Sequence, residues 1–372
     1  MTVEDILSSS EICQEIIRYI NSRRRGYPKD LLALCQTNKA WQRESEKALY
    51  HSVRVDSLSR LKQFCTTIIS QPRLAELVIA FSLASQFIRY TPPSAAYLAE
   101  LWKSFHGALQ KLPNLLSLSI AEQYAVPSWV FSSEDSEACL FPFSLNSLTM
   151  YGVPYNSQTA EFICAQEELQ RLHYYADPTA EDVKHAHEPG TPSLYAGISL
   201  EELRELSGNV TIVHDILCAP CQPPITRLVM GTDEEWPSLL QVLPKISQVR
   251  KTLRNLAVTR IPHDAAVVDQ FLQIIAATCP DILTLGVIPL PWLDRSALHR
   301  ALMQMRKLTS IELILHGGLK GWNPIPQSMM TKAFASELKM YCPSLIECHF
   351  RTPFDRASWF HNGLDWQYHV PS

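Results

Sequence analysis

The chain has 372 residues, of which 46% are hydrophobic and 19% charged, and its formal net charge is -4. This balance is that of an ordinary globular protein able to bury a core, and the lack of excess positive charge argues against nucleic acid as a partner. Glycine contributes only 12 residues, well below the usual ~7% of a chain, which argues against phosphate-cradling loops and hence against nucleotide cofactors.

The first 50 residues predict three short helices. In the segment 11–20, isoleucines recur at every fourth position with polar side chains opposite, which is the pattern of an amphipathic helix. A second helix follows the turn at 26–28, and Thr37 or Asn38 caps a third. Helices of this length bury too little apolar surface to be stable alone, so we expect them to pack on the rest of the chain or on a partner.

From residue 51 onward one pattern recurs. In the segments 112–120, 279–287 and 342–350, a proline and a small polar residue precede apolar residues spaced L-x-x-L-x-L, and each copy follows a stretch with helical spacing. The proline ends the helix, and the last two apolar residues share one face of a short strand. Looser copies recur at steps of roughly 24 to 30 residues, about one leucine-rich repeat each.

This repetition predicts an α/β fold: a leucine-rich-repeat-like solenoid with a curved parallel sheet and outer helices, preceded by a short all-α three-helix module. We predict three regions, namely the module at 1–50, the solenoid at 51–350 and an aromatic tail at 351–372 that caps the last repeat or, alternatively, binds a peptide. Helical spacing predicts helices over 95–112, 159–172, 239–249, 264–278, 296–305 and 329–341. Loops are predicted at 121–141, 176–198, 217–224 and 316–328.

The segments I-C-Q-E-I-I-R-Y-I at 12–20, L-L-A-L-C-Q-T-N-K-A-W at 31–41 and A-L-Y-H-S-V-R-V at 48–55 resemble an F-box that runs into leucine-rich repeats. The chain looks most like the large fungal group of such proteins. The resemblance implies a substrate-recognition subunit of a cullin-RING (SCF-type) ubiquitin ligase, with a Skp-type adaptor and an unknown protein target as partners. It implies adaptor binding by Ile12, Ile16, Ile20, Leu31, Leu34 and Trp41.

One departure keeps an alternative open. Ser8 and Ser9 stand where F-boxes usually carry Leu-Pro. The alternative is a non-catalytic leucine-rich-repeat interaction scaffold, in which the three helices only cap the repeats and no ligase is bound.

Motifs that carry chemistry are missing or incomplete. Cys218 and Cys221 form a C-x-x-C pair with His214 nearby, but no second pair of zinc ligands accompanies them. The chain has no G-x-S-x-G, Walker A, G-x-G-x-x-G or H-E-x-x-H motif. We therefore expect no enzymatic activity, no metal and no cofactor.

Target binding is predicted on the strand residues that point away from the core. In each L-x-x-L-x-L copy this is the residue between the last two apolar positions, because side chains alternate between the faces of a strand. The resulting set is mixed and mostly uncharged, which suits a protein partner better than a polyanion. Its members are Ser119, Thr149, His173, Val229, Ala257, Gly286, Glu312 and His349. Alternatively, the inserted loops recognise the target and this face is solvated.

The start of the chain lacks the unbroken apolar run of a signal peptide, and no stretch has the ~18 to 20 apolar residues that span a bilayer. We expect no membrane partner, a cytoplasmic and/or nuclear location, and reduced cysteines.

Overall fold

The structure, a computed structural model, describes residues 10–22, 27–84, 93–121, 126–132, 141–176, 200–231, 236–262, 264–290, 294–315, 327–351 and 356–369. Ser8 and Ser9, and most of the predicted loops 176–198 and 316–328, lie outside these ranges. The chain forms two compact units, Met1–Leu169 and Gln170–Ser372.

The first unit alternates helices with parallel strands. Its strands, in chain order and paired in that order, are β1 Ser52–Val55, β2 Ala80–Ala84, β3 Ser117–Ala121 and β4 Ser147–Tyr151. Its α-helices in the described ranges are α1 Ser10–Ser22, α2 Tyr27–Cys35, α3 Lys39–His51, α4 Leu58–Ser70, α5 Pro72–Ala75, α6 Ala95–Leu109 and α7 Ser157–Cys164, with a 3-10 turn at Ser128–Phe131. Asn38 caps α3 by accepting from the backbone N–H groups of Ala40 and Trp41.

The second unit continues the same alternation. Its parallel strands are β5 Arg171–Tyr175, β6 Glu205–Asn209, β7 Arg227–Gly231, β8 Asn255–Thr259, β9 Thr284–Pro289, β10 Ser310–Ile314 and β11 Glu347–Arg351. Its helices in the described ranges are α8 Val210–Cys218, α9 Trp236–Val242 with the 3-10 segment Leu243–Val249, α10 Ala265–Thr278, α11 Ser296–Gln304 and α12 Gln327–Tyr341. Helix followed by parallel strand confirms the predicted α/β leucine-rich-repeat-like solenoid.

The core lies between the strands and the helices. Alternate strand residues are buried, as Phe81 and Leu83 are in β2 and Leu228 and Met230 in β7. As predicted, α6, α10 and α12 each end shortly before a proline. Gly208 in β6 lies so close to β5 that a Cβ there would be 2.5 Å from the carbonyl oxygen of Tyr174, so this strand pair accepts no side chain at that position.

The tail forms an antiparallel hairpin, β12 Arg356–His361 and β13 Trp366–His369, which extends the sheet from β11. Trp359 and Trp366 are buried. The indole Nε1 of Trp359 donates a hydrogen bond to Thr331 Oγ1 in α12 at 3.0 Å. The hairpin is thereby tied both to the last parallel strand and to the last helix.

Three sequence predictions are corrected. The helix predicted over 159–172 ends at Cys164, because Leu169 and Leu172 belong to the turn and strand that follow. The predicted loop 217–224 begins inside α8, which follows directly on β6. The predicted loop 121–141 also contains structure, namely the 3-10 turn Ser128–Phe131. In the part of the chain that the structure describes, no helix is long and apolar enough to cross a membrane.

Candidate functional site

The three N-terminal helices have a small core of their own. Cys13 and Ile17 of α1, Leu31 of α2 and Trp41 of α3 are buried together. Leu34, Ala48 and Leu49 pack against this cluster while remaining partly exposed. The helices therefore hold one another, and their buried face is directed inward rather than toward a partner.

A buried carboxylate strengthens this arrangement. Glu44 of α3 is 6% exposed and accepts hydrogen bonds from Gln14 Nε2 at 3.1 Å, Ser10 Oγ at 3.2 Å and Lys47 Nζ at 2.8 Å. Burial raises the pKa of Glu44, but these hydrogen bonds outweigh it and leave the pKa below its ordinary value. Because Ser10 and Gln14 lie on α1, the ionised carboxylate links α1 to α3.

A separate ion pair fastens the helices to the first repeat. Arg73 Nη1 of α5 donates to Glu46 Oε2 of α3 at 2.6 Å, and Gln42 Nε2 donates to the other carboxylate oxygen at 3.0 Å. The hydrogen bond from Arg73 holds the pKa of Glu46 below its ordinary value. This attachment uses polar atoms and leaves apolar side chains of the module available.

Large apolar side chains on α1 and α2 face solvent. Ile16 is 36% exposed, Tyr19 56% and Leu32 55%. Ile16 and Tyr19 are three positions apart on α1, so they lie on one side of the helix. Neighbouring exposed apolar side chains are one mark of a protein-contact surface, whereas single ones are common on any protein.

The six predicted adaptor-binding residues divide into three groups. Ile16 is exposed; Ile12, Ile20 and Leu34 are half-buried; Leu31 and Trp41 are in the module core, so any role they have in binding is to support the surface. The sequence interpretation missed Tyr19 and Leu32 as exposed members. The spacing of three residues between Ile16 and Tyr19 places both on one side of α1 and could have identified Tyr19. The exposure of Leu32 depends on how α2 packs and has no such sequence pattern.

The eight predicted target-binding residues all lie on the strand face opposite the helices. In the first unit Ser119 of β3 is in register with Thr149 of β4. In the second unit the rows of register partners are His173–Ser207–Val229–Ala257–Gly286 and Glu312–His349. Gly286 is buried, and the others are half-buried. Burial lowers the pKa of His173, which favours its neutral form.

The hairpin adds residues to this face that the sequence did not indicate. Ser358 of β12 lies opposite His349, and its Oγ is 2.9 Å from His349 Nδ1. His349 Nε2 is 3.6 Å from Glu347 Oε2, beyond hydrogen-bond length. Ser358 is only 5% exposed, so its hydroxyl is placed to orient the imidazole rather than to meet a substrate.

The predicted C-x-x-C pair is divided between the end of α8 and the segment after it. Cys218 Sγ lies 3.5 Å from His214 Nε2, one helical turn earlier. Within the described ranges, no group of three or more His, Cys, Asp or Glu side chains is placed to hold a metal ion.

Comparison with known proteins gives similarity at the level of structure. No family model matches the chain, and no curated protein matches it. Among solved structures, the leucine-rich repeat-containing protein LegL7 from Legionella pneumophila is similar over 84% of this chain and 87% of that chain, with 10% identity and a TM-score of 0.45. The Rad7 and Elc1 complex in yeast is similar over 83% of this chain and 88% of that chain, with 13% identity and a TM-score of 0.34.

Proposed function

We propose that this protein is the substrate-recognition subunit of a cullin-RING (SCF-type) ubiquitin ligase. The helices α1–α3 bind a Skp-type adaptor, and the repeats bind a target protein. The protein performs no chemistry itself. It raises the effective concentration of the target at the ligase, which reaches the millimolar range for a tethered pair, and it acts in the cytoplasm, the nucleus or both.

The observation that carries this proposal is the exposure of Ile16, Tyr19 and Leu32. A module that only capped the repeats would bury these side chains against the first repeat, since exposed apolar area costs stability. Here the module has its own core, and it is joined to the first repeat by the continuation of α3 into β1 and by the Glu46–Arg73 pair. Ile16, Tyr19 and Leu32 therefore present apolar surface to a partner.

The scaffold alternative is favoured by a different observation. Leu31 and Trp41, which the F-box resemblance assigns to adaptor binding, are inside the module. A contact made without them is smaller, and a smaller contact is weaker. Measuring adaptor binding directly separates the two functions.

The test is calorimetric titration of the full-length protein with a purified Skp-type adaptor, comparing wild type with Ile16→Asp. Placing a carboxylate in an apolar contact loses the burial of the isoleucine, about 1.5–3 kcal/mol, and adds the cost of an unpaired buried charge. We expect affinity to fall by about 100-fold or more.

The matched control is Ile69→Asp, because Ile69 is also an exposed helical isoleucine in the same unit, at 46% exposure on α4. It should bind the adaptor like wild type, and circular dichroism should show both variants folded. Equal weakening by the two variants, or absence of binding by folded wild type at tens of micromolar, contradicts the ligase proposal and leaves the scaffold.

A further inference from the structure

We propose that the second unit carries a peptide subsite centred on Gly286, which takes an extended segment of the target protein. The segment presents a compact apolar side chain to the sheet and an acidic side chain to Arg227. This inference rests on the proposed recognition of a protein target by the repeats, and it names the chemistry of that target.

The centre of the subsite is a hollow in the strand face. Val229, Ala257 and Gly286 are register partners on β7, β8 and β9. The side chains therefore decrease in size from one strand to the next, and Gly286 has none. They line a hollow of about 270 Å³. This is close to the lower limit of the usual ~300–1,000 Å³ of cofactor and ligand pockets, and it leaves room for an apolar side chain. A Cβ on Gly286 would lie 3.3 Å from Ala257 Cβ, so any larger residue there fills the hollow.

The strand beside the hollow is bulged. Ile311 of β10 pairs with Leu285 of β9, but Leu313 pairs with Ile288, so β9 has one residue more than its neighbour. Val287, within the bulge, has φ +64°. This left-handed conformation costs a β-branched residue about 1–3 kcal/mol. Bulges are concentrated beside functional sites, where they redirect a strand, and a strained backbone beside a hollow points to the same role.

Neutral polar side chains line one edge. Asn255, Thr284 and Ser310 are register partners on β8, β9 and β10, and all three border the hollow. Their amide and hydroxyl groups supply both donors and acceptors. An extended peptide backbone offers the complementary groups at every residue.

The charge of the surroundings selects an acidic partner. At the far side of the hollow, Glu312 Oε2 lies 3.7 Å from Arg356 Nη2, and Glu347 is near His349. Glu312 therefore has a cationic neighbour, and Glu347 does not border the hollow. Arg227, which also borders the hollow, is exposed and forms no ion pair with any residue that the structure describes. Its register partner Glu205 is shared with Arg171 on the other side, so these three residues carry two positive charges and one negative charge. A carboxylate from the target complements the excess positive charge.

Strand geometry fixes the spacing of the two peptide side chains. Arg227 lies on β7, two strands from Gly286 on β9. The residue of β9 in register with Arg227 is Thr284, two residues before Gly286. Strands are about 4.8 Å apart and residues about 3.4 Å apart, which gives a separation of about 12 Å. An extended chain covers about 3.4 Å per residue. The acidic and apolar residues should therefore be about three or four positions apart, or two if the long Arg227 side chain reaches toward the hollow.

The test uses a library of random nonapeptides displayed on phage, selected on the full-length protein. The most enriched peptide is then synthesised with a fluorescent label and titrated by anisotropy. We expect a consensus with one Asp or Glu two to four positions from a compact apolar residue. Arg227→Glu should weaken binding at least 10-fold, and so should Ala257→Leu, which fills the hollow from a half-buried surface position.

Arg171→Glu is the matched control. Arg171 is an exposed arginine in the same row as Arg227, separated from it by Glu205, and it does not border the hollow. Binding should change less than threefold. A basic consensus, no consensus, or equal binding by wild type, Arg227→Glu and Ala257→Leu overturns the subsite.

Failure of this inference is distinguishable from failure of the ligase proposal. Arg227→Glu should leave adaptor binding unchanged, and Ile16→Asp should leave peptide binding unchanged. If the peptide consensus holds and the adaptor does not bind, the subsite stands on a scaffold protein. If the adaptor binds and the peptide result fails, the ligase proposal stands without this subsite.

Discussion

Truncation should destabilise the protein much more at one of two adjacent isoleucines of α1 than at the other. Ile17 is 7% exposed within the module core, whereas Ile16 is 36% exposed. Ile→Ala at a buried site costs about 2–5 kcal/mol through lost transfer energy and the cavity left behind. At a site that stays partly in water the cost is smaller, about 1 kcal/mol or less. We expect Ile17→Ala to destabilise the module by about 3 kcal/mol and Ile16→Ala by no more than about 1.

Native-state hydrogen exchange measured by mass spectrometry tests this difference. In peptides from α1 and α3, the opening equilibrium should rise roughly 30-fold more for Ile17→Ala than for Ile16→Ala, since 2 kcal/mol corresponds to that factor. Peptides from β7 to β9 should exchange as in wild type and serve as the internal control. Equal destabilisation by the two variants would refute the reasoning, because it would mean that the Ile16 side chain is buried and not available to an adaptor.

Three further predictions concern the fold. Gly208→Ala should lower the free energy of unfolding by at least about 2 kcal/mol, because the new Cβ meets a backbone oxygen. Gly107→Ala should raise it by about 0.5–1 kcal/mol, because Gly107 lies inside a helix and its new Cβ makes only ordinary contacts. Chemical denaturation compares the two variants. Thr331→Val should cost about 1–3 kcal/mol in the same assay, because a buried indole N–H loses its acceptor. Arg73 depresses the pKa of Glu46, so this pair stabilises the folded protein at pH values above the unfolded-state pKa of the carboxyl. Wild type should therefore be more stable than Glu46→Gln at pH 7, by less than about 1 kcal/mol. This difference should vanish as the pH falls from about 5 to 3.

The repeat architecture was predictable because each unit carries its own local signals. Before α10 a capping aspartate opens the helix, and a proline two residues after its last residue marks where it ends. The strand that follows has two apolar residues on one face. Where such signals were absent the prediction was wrong. No proline follows Cys164, so the apolar spacing continued through Leu169 and Leu172 and extended the predicted helix into a strand.

The surfaces were less predictable, because exposure depends on residues distant in sequence. Ile16 and Ile17 belong to one broad apolar stripe, and side chains of successive helical residues differ in direction by only about 100°. Which of them is buried is decided by Leu31 and Trp41, whose positions follow from the packing of α2 and α3. The hollow at Gly286 likewise depends on the register of three strands and on a bulge, and no local sequence pattern predicts either of them.

The way the module is attached explains how binding and folding can be separate in this protein. Its internal cohesion comes from the Cys13–Ile17–Leu31–Trp41 core, and it is joined to the first repeat by the direct continuation of α3 into β1 and by the Glu46–Arg73 pair. Neither the core cluster nor the ion pair includes Ile16 or Leu32, so a partner can cover these two side chains without displacing those contacts. The same reasoning applies to the hollow of the second unit, because Val229 and Ala257 in it are only half-buried and Arg227 at its edge is exposed. Substitutions on either surface should therefore change binding while leaving the fold intact, which is the property that the proposed variants depend on.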